Sequence, residues 1–218
     1  KKGTVKLYLM VRNLDKADRI QIFISYCIKL IILGFIIFNA VKGEWFMVFW
    51  GGIFLLASFM PLLLERNLKV HLPVEIDFMI ALMLLLFALG SFLDFYNKIH
   101  WWDDVSHYLG GLLIGFIGFF MIYTFHYIER LKTGTGLIIL FTFSFSLAMG
   151  AVWEIFEFCM DYFFGYDMMK GLVNTATDLI LDAFGALVAA IFGAFYIKNS
   201  MPGFVGRLTR KFLEWNKK

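Results

Sequence analysis

Apolar and polar residues fall in long alternating blocks along this chain, not at the short periods of a soluble fold. Apolar stretches of about 20 residues, the length a helix needs to cross a bilayer core, recur six times. They predict spans at Ile20–Val41, Trp45–Leu64, Ile76–Phe95, His107–Ile128, Gly136–Tyr162 and Thr175–Ile197. The polar punctuation is brief. Lys42-Gly43-Glu44 makes a tight turn, Glu65–Glu75 a short loop, Tyr96–Ser106 a Trp-rich connection and Glu129–Thr135 a reversal. A loop holding Gly165, Asp167, Lys170 and Gly171 leads into the last span. Pro61 is expected to kink or end the second span, and Trp45 and Trp50 suit its interfacial anchors.

The fold class read from this pattern is all-α: a polytopic transmembrane helical bundle of about six spans. Residues 1–19 form a basic lead, with Val5, Leu7, Leu9, Met10, Val11 and Leu14 fitting either a short interfacial helix or a frayed cationic segment. Residues 20–197 form the six-helix membrane domain. Residues 198–218 form a basic tail whose Phe204, Val205, Leu208, Phe212 and Leu213 have amphipathic surface-helix spacing.

Composition agrees and excludes an ordinary soluble domain: 61% hydrophobic and 19% aromatic residues, with a mean hydropathy of +0.76. The net charge of +3 is less informative than its distribution. Six spans put both ends on one side, where 16 Lys and Arg collect against 3 on the other (Lys42, Lys98, Lys170). The positive-inside rule then places both termini in the cytoplasm of a multi-pass cell-membrane protein. Lys29 is the one charge within the first span; snorkelling is its ordinary reading, and facing the bundle is the alternative. Cys27 and Cys159 read as inert buried thiols. No cleavable signal peptide is expected, since Lys1–Arg19 is polar and basic. Membrane lipid is the expected partner, no nucleic acid is, and the sequence does not fix an oligomeric state.

With that orientation the acidic residues become informative. Ten carboxylates, among them Asp94, Asp103, Asp104, Glu154, Glu157, Asp178 and Asp182, fall towards the outer ends of spans. Ionisable groups inside a membrane span are costly and mark function unless paired. Asp103 and Asp104 precede His107 by one helical turn. Glu154, Glu157 and Asp161 share one helical stripe, and Thr175, Asp178 and Asp182 another. Facing carboxylates repel unless protons or cations intervene, and helical bundles hold divalent metals with inward-facing Glu, Asp and His. The predicted ligands are His107, Glu154, Glu157, Asp178 and Asp182, with Glu157, Asp103 and Asp104 as candidate catalytic carboxylates. Zn, Mn or Fe suits such a donor set better than Cu, while Ca or Mg fits if the histidine does not bind the ion directly. A proton- or ion-conducting carboxylate network and a purely structural hydrogen-bond network remain open. His100 is a further candidate ligand, and Trp101 and Trp102 form an interfacial belt or cap the site's mouth. Gly111, Gly115 and Gly118, like Gly185, Ala189 and Gly193, read as small-residue packing faces.

Three motifs stand at these residues: Trp-Trp-Asp-x-x-x-His-x-x-x-Gly at Trp101–Gly111, Trp-Glu-x-x-Glu at Trp153–Glu157, and Asp-x-x-x-Asp-x-x-Gly at Asp178–Gly185. Through them the chain resembles the YjdF-type inner-membrane proteins of bacteria and archaea, and more distantly the VanZ-like membrane proteins. The resemblance spans roughly Asp94–Ala190. It implies a common set of residues and no particular activity. The functional expectation is a metal-dependent site at the extracytoplasmic face, catalysing hydrolysis or transfer on a lipid-linked or envelope substrate. An ion- or proton-coupled transporter and a non-catalytic membrane scaffold or regulator are the alternatives.

Overall fold

A computed structural model describes residues 14–68, 71–127, 134–198 and 204–216. Residues 1–13, 69–70, 128–133, 199–203 and 217–218, and the side chains of Leu68, Tyr127, Phe204 and Val205, lie outside the described residues. The described chain is helical throughout and contains no strand: α1 Lys16–Lys42, α2 Trp45–Ser58, α3 Met60–Leu68, α4 Val74–Phe92, α5 Phe95–Lys98, α6 Trp102–Tyr127, α7 Thr135–Phe164, α8 Leu172–Lys198 and α9 Phe204–Trp215. Five of these helices are long and apolar enough to cross a membrane; α2 and α3, bent by 44°, make a sixth if counted as one span. The break falls at Phe59, two residues before Pro61. Proline is tolerated there because the first turn of α3 has no intrahelical partner for its missing N–H.

The chain divides into two compact units, Lys1–Phe92 with Phe204–Lys218, and Leu93–Gly203. In the first, α1, α2 and α4 pack against one another. Asp15 caps α1, accepting from the Asp18 N–H while Asp18 accepts from the Asp15 N–H. The Asp18 N–H, more than the nearby cations, holds the Asp15 carboxyl below its usual range. Gly43 ends α1 in the left-handed conformation, φ +77°, which glycine adopts without penalty. Lys29 does not snorkel. It is buried, bonds Asp77 at 2.8 Å, and lies beside Ser25, which also donates to Asp77. Along α9, Lys211 pairs with Asp18 and Glu75, and Leu208 and Trp215 are buried. The tail helix is therefore docked on its apolar side.

The second unit is a bundle of α6, α7 and α8 with the short α5 before it. Its helices approach closely where glycines leave room. A Cβ on Gly185 would stand 2.6 Å from the backbone N of Leu112, one on Gly111 2.9 Å from Asp182 Cα, and one on Gly115 2.6 Å from Ala189 Cβ. A Cβ on Gly118 would meet Phe145, and one on Gly193 would meet Phe119. The Ser146 hydroxyl donates to the Gly111 carbonyl at 2.6 Å, tying α7 to α6 at the same level. Side chains such as Ile155, Ile180, Phe184 and Ile191 face outward, as surfaces bathed in acyl chains require.

Candidate metal centre

The close approach of α6 and α8 brings His107 into a ring of acids. Helical spacing puts Asp103 one turn before His107, and Asp178 and Asp182 one turn apart on α8. Glu154 and Glu157 lie on the α7 face turned to both. His107 is 5% exposed. Its Nε2 lies 3.8 Å from Asp103 Oδ1, 3.8 Å from Glu154 Oε1 and 4.0 Å from Asp178 Oδ2. Its other nitrogen, Nδ1, lies 3.3 Å from Asp182 Oδ2. Single donor atoms of Asp103, His107 and Asp178 fall within 4.8 Å of one another.

The two ring nitrogens therefore have different company. Asp182 sits against Gly150, where a Cβ would stand 2.7 Å from its Cγ. Only a glycine on α7 leaves that carboxylate its place beside Nδ1. On the Nε2 side, Glu154 is 5% exposed and neither of its oxygens has a hydrogen-bond partner; Asp178, 1% exposed, has one oxygen in the same condition. Buried carboxylate oxygens normally gather several donors. Here they face one imidazole, other acids and, at Glu154, the neighbouring Thr175 side chain.

The remaining predicted residues are more peripheral. Glu157 is buried, accepts the Trp153 indole N–H at 2.9 Å and lies within electrostatic range of Glu154, His107 and Asp103. Asp104 is half-buried and makes none of the contacts to His107. Asp161 serves the loop after α7, accepting from the Met168 and Met169 N–H groups. Asp94 and His100 are exposed, and Asp94 accepts from the Asn97 amide. Thr175, read onto the Asp178 stripe, lies beside Glu154. Trp102 packs on Phe95, ring centres 4.8 Å apart, while Trp101 is exposed.

Sequence reasoning missed Tyr96, Lys170 and Asn174. The Tyr96 hydroxyl pairs with Ser106 and lies in the field of Asp103, Glu157 and Asp178. Burial first, then the Asp103 charge, pushes its phenol above the usual range, so it stays a neutral hydroxyl. Lys170 Nζ lies 3.3 Å from Asp103 Oδ2 and 3.2 Å from the Tyr96 carbonyl oxygen, and Asn174 Nδ2 lies 3.2 Å from the same Asp103 oxygen. No periodicity announces these three. The two positive φ values in succession where the loop enters α8, Lys170 at +49° and Gly171 at +96°, mark Lys170 only in the folded chain.

Residues 21–199 match the family described as "Predicted membrane protein (DUF2238)". A protein of Thermotoga maritima described as "Uncharacterized protein" is 32% identical over 140 residues, covering 63% of this chain and 71% of the relative. No solved structure matches.

Proposed function

The chain belongs to the DUF2238 family of predicted membrane proteins, and from that footing we propose that its His107 cluster is a divalent-metal site. One observation carries the reading: Glu154, buried with both oxygens unpartnered, converges with Asp103 and Asp178 on His107 Nε2. A point common to the Asp103, His107 and Asp178 donor atoms, all within 4.8 Å of one another, lies no more than about 2.8 Å from each, so these side chains would draw in by roughly half an ångström or more to reach the ~2.0–2.2 Å of zinc bonds to imidazole and carboxylate. His107, Asp103, Asp178 and Glu154 are the ligands in this reading. Asp182 holds Nδ1 and so fixes which ring nitrogen faces the ion, the arrangement usual for metal-bound histidine. Imidazole with hard oxygen donors favours Zn, Mn or Fe.

A bound metal of this kind polarises a substrate oxygen and generates hydroxide from water near neutral pH. Glu157, close to the ligands and held by Trp153, would serve as the general base. The reading is metal-assisted hydrolysis or transfer on a lipid-linked or envelope substrate, at the extracytoplasmic side that the charge distribution indicates. The likeness to YjdF-type and VanZ-like proteins rests on these same residues and adds no activity.

The test is elemental analysis of the detergent-purified protein after metal-replete expression, beside His107→Ala and Glu154→Gln. One ion per chain in the wild type, lost in both variants with monodispersity kept, is the expected result. A wild type free of metal under those conditions would overturn the reading and favour a proton-sharing carboxylate network, as in a proton-coupled transporter.

A further inference from the structure

Resting on that metal site, we propose that Lys170 is its gate, a tethered cation that closes over Asp103 and sets how fast a metal ion enters and leaves the His107 centre. The wall round the imidazole is uneven. The side chains of His107, Glu154, Asp178 and Asp182 are each 6% exposed or less, whereas Asp103 is 14% exposed. The opening nearest the ring therefore lies at Asp103. Its Oδ1 is turned to His107 Nε2 and its Oδ2 to Lys170 and Asn174. Lys170 lies across this position, with Nζ 3.3 Å from Asp103 Oδ2, 3.2 Å from the Tyr96 carbonyl oxygen and 5.5 Å from the centre of the Tyr96 ring. An ion approaching Asp103 from the loop meets an ammonium first.

Ordinary hydration does not account for that placement. An ammonium is a strongly hydrated charge on a flexible stem, and on a connecting loop it is best solvated when extended into water. Lys170 instead folds back over the site, its side chain 34% exposed. The backbone aims it there. Lys170 stands at φ +49°, a region that residues with a side chain seldom occupy. The stretch before it is pinned to α7, where Asp161 accepts from the Met168 and Met169 N–H groups. Gly171, just after it, accepts from the Thr175 N–H and so begins the ladder of α8. With the backbone held on both sides, the part free to move is the side chain. Side chains at a surface change rotamer without any shift of the helices beneath them, so this gate opens while the ligands stay in place.

Charge and access make opposite predictions for release. A positive group beside a bound cation repels it, so by charge alone the loss of Lys170 holds the ion longer. By access, the same loss opens the mouth, and the ion leaves sooner. Entry quickens on both grounds, which makes release the deciding rate.

The full chain, purified in detergent and loaded with Mn2+, is mixed with excess EDTA, and the EPR signal of the bound ion gives the release rate; titration with Mn2+ gives the Kd. Lys170→Gly removes stem and charge together and suits φ +49°. It should release Mn2+ at least about fivefold faster than wild type, with one ion per chain and a Kd no more than about threefold weaker. Lys170→Arg restores a cation on a long stem and should release within about threefold of wild type. Asn174→Ala removes the other hydrogen bond to Asp103 Oδ2 without clearing the mouth, and it too should stay within about threefold. Release from Lys170→Gly that is unchanged or slower overturns the gate while the metal site stands. So does faster release matched by an equal loss of affinity, or an equal acceleration in Asn174→Ala, since either makes Lys170 a support for Asp103 and no barrier. A wild type that takes up no Mn2+ overturns the metal site, and this inference with it.

Discussion

Gly150→Ala perturbs the site while leaving the bundle assembled. The added Cβ would stand 2.7 Å from Asp182 Cγ, about 0.9 Å inside an ordinary carbon–carbon contact of ~3.6 Å. Gly150 lies in the middle of the 30-residue α7, so its backbone stays and the Asp182 carboxylate gives way. A shift of about 0.9 Å carries Asp182 Oδ2, now 3.3 Å from His107 Nδ1, out of hydrogen-bond reach. Strain from overpacking costs about 1–3 kcal/mol, and the better helix propensity of alanine returns about 0.5–1 kcal/mol, so the fold survives. The ring of His107 loses the partner that fixes it, a loss worth about 10- to 100-fold in metal affinity.

Two comparisons isolate that effect. Gly34→Ala and Gly52→Ala place a methyl where nothing lies within 4 Å, and they should leave metal affinity untouched. Gly185→Ala drives a methyl into the backbone of Leu112 and Gly111, which cannot yield, and it should prevent α6 and α8 from closing. Thermal unfolding in detergent, Zn2+ or Mn2+ titration and the 15N shift of His107 Nδ1 read the three classes apart. The nitrogen shift reports the Asp182 contact whether or not metal is bound. Gly150→Ala with wild-type metal affinity and an unchanged Nδ1 shift would refute the argument. So would unfolding as severe as that of Gly185→Ala.

Further outcomes follow from the first unit and from the topology. Lys29→Met should lower stability by about 2–4 kcal/mol because Asp77 keeps its charge without its partner, and the double variant with Asp77→Asn should recover most of it in thermal unfolding. Lys211→Met leaves Asp18 and Glu75 without their cation and should free α9, read as faster amide exchange over Phe204–Trp215. Burial opposes the Lys211 charge, but hydrogen bonds to Asp18 and Glu75 outweigh it and raise its pKa above 10.5. A raised folded pKa means that this contribution is complete below pH 10.5 and lost only as pH climbs through the higher folded value, so α9 protection should hold from neutral pH to about 10. Reporter fusions after Lys218 should read cytoplasmic and those in the Lys98 or Lys170 loops extracytoplasmic; the reverse would remove the case for an envelope substrate.

The spans were legible because length and hydropathy alone decide them, and the stripes because helical spacing converts sequence distance into shared faces. Asp103 and His107, Glu154 and Glu157, Asp178 and Asp182 each needed only a helix to be recognised as a group. What stayed hidden depended on depth and angle between helices. Asp182 looked like Asp178 one turn away, yet it reaches the opposite nitrogen of His107, because Gly150 on another helix leaves space there. Lys29 was ambiguous since its partner, Asp77, lies in a different apolar block. The break falls at Phe59, ahead of Pro61, because a proline is tolerated in the first turn of the helix that begins at Met60, where its missing N–H has no intrahelical partner. Tyr96 and Lys170 sit in connections, where no period applies, and the positive φ of Lys170 is a property of the folded loop.

Partnering of buried charges separates the two units, and it is what sets the second apart. In the first unit the buried charges Asp18, Lys29, Glu65 and Glu75 each meet a protein group of the required kind: Lys211 for Asp18 and Glu75, Asp77 for Lys29, and the Leu72 N–H for Glu65. Such pairing lets ionised groups stand in a low-dielectric setting and asks for nothing from outside. In the second unit the buried acids Glu154, Glu157, Asp178 and Asp182, with Asp103 beside them, have His107 within the ring and Lys170 at its rim. Even with both of those positively charged, five carboxylates exceed two cations by three. Two remedies exist: protons on some of the acids, or cations brought in. A shared proton needs two carboxyl oxygens within about 3 Å of each other. A divalent ion at His107 Nε2 would remove two of the three excess charges at once and give the Glu154 carboxylate a cation. The metal content of the purified protein, beside Glu154→Gln, decides between the two remedies.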